Sequence, residues 1–210
     1  MTVPPFAAAP VGRRQARILV SIRFLGINMP TTKIGWLNLD AWSETYIGAH
    51  WIVSSKLPDK QYQAEPIDGP LSQMVLIASH QLVEIMLFNC IRRNLEQNNK
   101  WNDVSEEFIR KLNFNEAFNK WPKRLTGKAF PKKEQPFLAA RELALRRNAT
   151  VHSESALTTL QMARSALHAG VLASRAIQEH FENQPFLYEA VLKKYPLVEQ
   201  EWFSSSMYPK

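Results

Sequence analysis

The spacing of apolar positions changes character along the chain. Between Arg17 and Phe24 they alternate, with Ile18, Val20, Ile22 and Phe24 on one side and Arg17, Ser21 and Arg23 on the other. That is the period-two pattern of a strand with one buried face. A second short apolar stretch, Lys33 to Leu39, follows a turn-like Gly26 to Thr32, so the two predict a small N-terminal β-hairpin beside a helical core. From Asp40 the period lengthens: Trp42, Tyr46, Ala49 and Val53 recur at three- and four-residue steps. The spacing predicts a helix over about 40–56 with Asp40 as its N-cap. Pro58, Pro66, Gly69 and Pro70 then read as a connector, and Leu71 opens the most apolar segment, a helix to about Gln97. Its stripe is Leu71, Val75, Ala78, Leu82 and Ile85, but Met74, Ile77 and Phe88 occupy much of the opposite side. A helix apolar nearly all round belongs at the centre of a fold.

The second half continues the helical period. Ser105 reads as the cap of a helix turning Phe108, Leu112 and Phe118 inward, and Pro136 as the first residue of the next. In that next helix Phe137, Ala140, Ala144, Arg147 and Val151 share one face, which places Arg147 on the core stripe and Arg146 about 100° away. Thr150 to Ser155 supplies cap-type residues, and from Ala156 the positions Leu160, Ala163, Leu167, Ser174, Ile177 and Phe181 predict a long helix to about Glu182. A short helix is expected between Pro185 and Pro196, and a tail from Ser204 with little to bury. The expected fold is mainly α, a bundle of four to five helices with a small N-terminal hairpin. It divides into an arm over 1–39, the bundle over 40–182, and a short helix and tail over 183–210.

Composition narrows the partners. A chain of 210 residues supports one good core. With 26 Lys+Arg against 19 Asp+Glu the formal charge is +7, which favours a polyanionic partner such as RNA. The lone Cys90 allows no disulfide framework and no Cys/His metal spacing, so no metal or cofactor is expected and a reducing compartment is. The most apolar run, Met74 to Cys90, is interrupted by His80, Gln81 and Glu84. No signal-peptide pattern follows Arg13-Arg14, so the expected location is cytoplasmic, off the membrane.

The candidate chemistry lies in Arg147, Asn148 and His152, within R-N-A-T-V-H at the junction of two predicted helices. Arginine offers a planar fork of donors with fixed charge, and histidine exchanges a proton near neutral pH. A phosphate held by Arg147 and by free amides near Ser155 would bring His152 to an RNA 2'-hydroxyl or leaving oxygen, with Asn148 orienting phosphate or histidine. The plainer reading pairs Arg147 with Glu84 or Glu154 and makes His152 a helix cap. Glu84, at i+4 from His80 in the central helix, needs a cation from another helix if it is buried and ionised. Lys120, Lys123, Arg124, Lys128, Lys132 and Lys133 surround Trp121 and Phe130, a mixture suited to a nucleic-acid strand and equally to a solvated loop. With Arg146 they form the expected RNA-binding set.

The hexapeptide, with arginine, a polar residue directly after it, and histidine after four intervening positions, resembles the signature of HEPN domains (higher eukaryotes and prokaryotes nucleotide-binding). In that family the motif ends the third core helix of a four- or five-helix bundle, and the resemblance covers roughly residues 40–182. It implies a homodimer with two motifs facing one cleft, and metal-independent endoribonuclease activity of the kind used by toxins and antiviral defence effectors, with an antitoxin or regulatory protein as a further partner. Arg147, Asn148 and His152 are the residues it carries over. HEPN toxins paired with a nucleotidyltransferase usually have tyrosine two positions after the histidine, and here Glu154 stands there, which speaks against regulation by modifying that position. The alternative is a non-catalytic RNA- or nucleotide-binding module of the same fold.

Overall fold

The computed structural model describes residues 40–55, 69–100, 111–152 and 158–208, apart from the side chain of His152. The expected hairpin, the Ser105 cap and Glu154 lie outside the described residues. The described part is mainly helical: α1 (Ala41–Ser54), α2 (Pro70–Gln97), α3 (Phe114–Thr126), α4 (Phe137–His152), α5 (Leu160–Glu182) and α6 (Glu189–Lys194), with a 3-10 turn at Ser205–Met207. All of it belongs to one compact unit.

Local sequence explains most of the ends. Asp40 accepts from the amide of Ser43, Asn113 from that of Glu116 and Thr159 from that of Met162, each satisfying one amide that the first helical turn leaves open. Pro70 starts α2 at a position where a missing N–H costs nothing. Gly127 closes α3 at φ +78°, a left-handed conformation that favours glycine.

Three contacts fix the direction of the two longest helices. The Gly69 amide donates to the Thr158 carbonyl at 2.9 Å, Ser79 abuts Gly170, and Arg93 Nε meets Glu182 Oε1 at 2.5 Å. The sequence offset stays nearly constant, so α2 and α5 run parallel. The other long helices oppose them. Trp42 Nε1 donates to Ser174 Oγ at 3.2 Å and Arg164 Nη2 to the Val53 carbonyl at 3.3 Å, which sets α1 antiparallel to α5. Phe137, at the start of α4, stacks on Phe130, itself edge-on to His180 near the end of α5. Further along α4, Arg146 covers Tyr208, whose hydroxyl bonds Thr158 just before α5 begins. The result is a helical bundle in which α3 packs against α2 and α5, Phe114 at its start meeting His80 and Thr126 at its end meeting His180.

The core holds Trp42, Tyr46, Leu82, Met86, Ile91, Phe118 and Ile177. By length and composition alone α2 could span a membrane, with an 18-residue window of mean hydropathy 1.6. In this fold its apolar surface is covered by α1, α4 and α5, although Met74 stays exposed and Ala78 and Ile85 are only half-buried. The face most deeply buried is instead Val75, Ser79, Leu82, Val83 and Met86, because two helices rather than one pack closely on it.

Three helix boundaries and the tail differ from the sequence pattern. α3 continues through Trp121, Lys123 and Arg124, so the first half of the basic stretch is helix. Helix α4 starts at Phe137 and runs through Thr150 to His152, more than a turn past Arg147, which therefore stands within the helix rather than at its end. Cap-type residues tolerate helix interiors when neighbours such as Ala149 favour the helix. The next helix begins at Leu160, with Thr159 and not the Thr150–Ser155 segment as its cap. The tail does bury side chains: Phe203 and Tyr208 close a second apolar cluster with Leu76, Leu143 and Met162, and the Ser205 hydroxyl bonds Glu142.

Candidate active site

The contact between α2 and α4 combines small residues with charge. Ala139, Ala140, Leu143 and Ala144 are buried on α4, which packs against α2. One turn on, the same stripe delivers Arg147, half-buried, where another apolar residue would continue the core. Its Nη1 donates to Asn148 Oδ1 at 3.1 Å, which restrains the fork without neutralising it. Asn148 itself is exposed.

Opposite, in the middle of α2, His80 is buried and Glu84 about one-third exposed, with His80 Nδ1 3.9 Å from Glu84 Oε2. Burial, and then the charge of Arg147, push the His80 pKa down from 6.5 to about 4, so the ring is neutral near pH 7. Its ring makes a T-shaped contact with Phe114 at 4.7 Å between centroids, and its Nε2 is buried without a hydrogen-bond partner among the described residues. Burial raises the Glu84 carboxyl, while Arg147 pulls the other way. The opposing effects follow from the signs: removing water disfavours any charge, whereas a nearby cation favours a carboxylate and disfavours an imidazolium. Glu84 therefore has its cation from another helix, acting through its charge rather than through a direct pair, and it is less buried than the stripe implies.

The structure thus brings together Arg147, Asn148 and Glu84, and adds His80. The two histidine positions differ in kind. His80 faces the α2–α4 contact, while position 152 ends α4 on the face it shares with Asn148 and Leu145, since steps of four and seven return to one side. The described start of α5 lies at Leu160, so amides near Ser155 fall outside the described residues. A signal for His80 was present in the i, i+4 pairing with Glu84, but nothing in the sequence distinguished an inward histidine from a core one.

The other basic positions separate. Lys120 pairs with Glu116 at 3.1 Å on the exposed side of α3, Arg124 lies 5.8 Å from the Trp121 ring, and Lys123 is exposed beside them. Lys128 is exposed, and its carbonyl stands 3.0 Å from His180 Nε2. Lys132 and Lys133 face α4 across a cleft. Arg146 packs its guanidinium over the Tyr208 ring at 3.4 Å, an arrangement that anchors the tail. Buried Cys90, its thiol pushed up to about 12 by burial, has no nucleophilic character at neutral pH. Among the described residues no group of three or more His, Cys, Asp or Glu is placed to hold a metal ion.

No family model matches the chain, and no curated protein or solved structure matches it either.

Proposed function

We propose that the protein is a metal-independent endoribonuclease of the HEPN type, acting as a homodimer in toxin or antiviral-defence biology. The observation that carries the reading is a half-buried arginine, fixed by the asparagine beside it and facing buried His80 and half-buried Glu84, five residues before the end of α4. Structural economy would place an apolar side chain at that point of the stripe. In the proposed reaction the 2'-oxygen of RNA attacks the adjacent phosphorus, forming a cyclic phosphate as the bond to the 5'-oxygen breaks. One protomer's His152 accepts the 2'-hydroxyl proton and the second protomer's supplies one to the leaving 5'-oxygen. Arg147 stabilises the charge that grows on the phosphorane, and Asn148 holds the guanidinium in place.

The exposed cations of α3 support the second reading, a cytoplasmic RNA-binding module without turnover. One experiment separates them. Purified protein in EDTA should cut single-stranded RNA and leave cyclic-phosphate ends, and His152→Ala or Arg147→Ala should slow cleavage by about 10²- to 10³-fold. Equal residual cleavage by wild type and His152→Ala, or activity only on adding Mg²⁺, would defeat the nuclease reading.

A further inference from the structure

Between α3 and α4 lies a cleft of about 360 Å³ that the reaction above does not use. Its charge is one-sided. Among the described residues Lys132, Lys133 and Arg141 line it and no carboxylate does. The remaining wall is suited to a flat, polar-edged group: the half-buried Phe114 ring, stacked on buried Phe118 at 5.3 Å, stands beside the side chains of Asn115 and Asn119. Asn119 is steadied by a 2.7 Å bond from its Nδ2 to the Asn115 carbonyl. A fixed aromatic face, amides for hydrogen bonding and a cluster of cations match the three parts of a nucleotide: base, edge and phosphate. The volume also lies in the range of small-ligand sites.

The cleft adjoins the candidate active site twice. Phe114 is the ring that meets His80 edge-on. On α4, Arg141, Leu145 and Asn148 follow at steps of four and three, one continuous face, and Arg141 and Asn148 are separated by about 10 Å along the axis. A strand seated in the cleft therefore continues toward Asn148 and Arg147.

We propose that this cleft is a nucleotide subsite of the nuclease, holding one unpaired RNA nucleotide with its phosphate on Lys132, Lys133 and Arg141 and its base on Phe114, one or two residues from the bond cut at Arg147. The inference rests on the reading of the protein as an RNA-cleaving enzyme and deepens it by naming Arg141 and Phe114, neither of which belongs to the motif. It commits the substrate to single-stranded RNA, because a base paired in a duplex has no free face for the ring.

The test uses the full chain carrying His152→Ala, to prevent turnover, and a fluorescein-labelled single-stranded RNA octamer read by anisotropy at several salt concentrations. Arg141→Ala should weaken binding about five- to tenfold and lower the salt slope by about 0.7, the loss of one phosphate contact on a single strand. Phe114→Leu should weaken it about tenfold with the salt slope unchanged, since stacking releases no counterions. Circular dichroism confirms folding, and Arg141 is exposed enough to change safely. Unaltered affinity in Arg141→Ala and Phe114→Leu, with a loss in Lys123→Ala instead, overturns the subsite and moves the RNA to the outer face of α3. The two proposals fail separately. Cleavage that depends on Arg147 but binding that ignores the cleft removes the subsite alone; cleft-dependent binding with no cleavage by the protein carrying His152 removes the nuclease alone.

Discussion

Helix α2 makes two interhelical contacts of opposite chemistry. Against α5 it is dry and close: Ser79 presents its backbone to Gly170, and a Cβ added there would lie 2.6 Å from the Ser79 carbonyl oxygen. Charge enters at the far end, where Arg93 and Glu182 close the pair. Against α4, barely a turn away on the same helix, it presents His80 and Glu84 to Arg147. Parallel long helices packed through a glycine give rigidity, and rigidity on one face lets the other hold charges that a looser helix would turn to water. Changes in the α2–α5 contact should cost stability, and changes in the α2–α4 contact should cost activity or alter its pH dependence.

The sharpest break is Gly170→Ala. The atom opposing the new methyl is a backbone oxygen in a helix and cannot swing aside, so the two longest helices must separate. The expected loss is about 3 kcal/mol of unfolding free energy, measured as a lower urea midpoint with the m-value unchanged. A midpoint within experimental error of wild type would mean that the two helices are not held at this separation.

On the polar side the expected effect depends on pH. His80 has a folded pKa near 4 against 6.5 unfolded, so between those values the unfolded chain binds more protons and stability falls as the solution is acidified. From pH 7 to pH 4 this amounts to about 2–3 kcal/mol. Glu84 works in the opposite direction, because its raised pKa favours the folded state as acid is added. Comparing wild type with His80→Gln isolates the histidine: the variant should lose less stability over that range, whatever its stability at pH 7. Parallel curves would show that His80 is not held neutral by burial and Arg147.

How far the sequence carried this contrast depended on the kind of signal. Periodicity located α1, α2, α4 and α5 because each carries apolar positions at helical steps, and it put Arg147 on the face of Ala140 and Ala144, but Val151 on that expected stripe is exposed and Arg146, expected about 100° away, is half-buried as Arg147 is. It could not foresee that Arg146 would also be occupied, since Tyr208 reaches it from the tail, 62 positions later in sequence. Cap residues misplaced the α4–α5 junction: Thr150 satisfies the pattern of a cap, but the helix passes through it and Thr159 takes that role. The parallel pairing of α2 and α5 and the cleft beneath Arg141 are tertiary facts. They depend on which faces meet, and hydropathy along one chain does not record that.

The smallest expected effect tests whether the dry side is uniformly dry. Ser174 lies one turn beyond Gly170 on α5, where its hydroxyl donates to the Gly170 carbonyl at 2.8 Å and accepts from the buried Trp42 indole at 3.2 Å. Ser174→Ala removes little volume but leaves the indole N–H without its acceptor in a region no water reaches, and an unmet buried donor costs about 1–2 kcal/mol. A double-mutant cycle with Trp42→Phe separates that bond from packing, because once the indole nitrogen is gone the serine has no donor to satisfy. Thermal unfolding should then show Ser174→Ala costing at least 1 kcal/mol less in the Trp42→Phe background than in wild type. Equal costs in both backgrounds would mean that the serine matters through its bond to Gly170 and not through α1. The RNA cleavage proposed above, measured well below the melting temperature, should be unchanged in Ser174→Ala, since the bond lies between α1 and α5 and Arg147 faces α2.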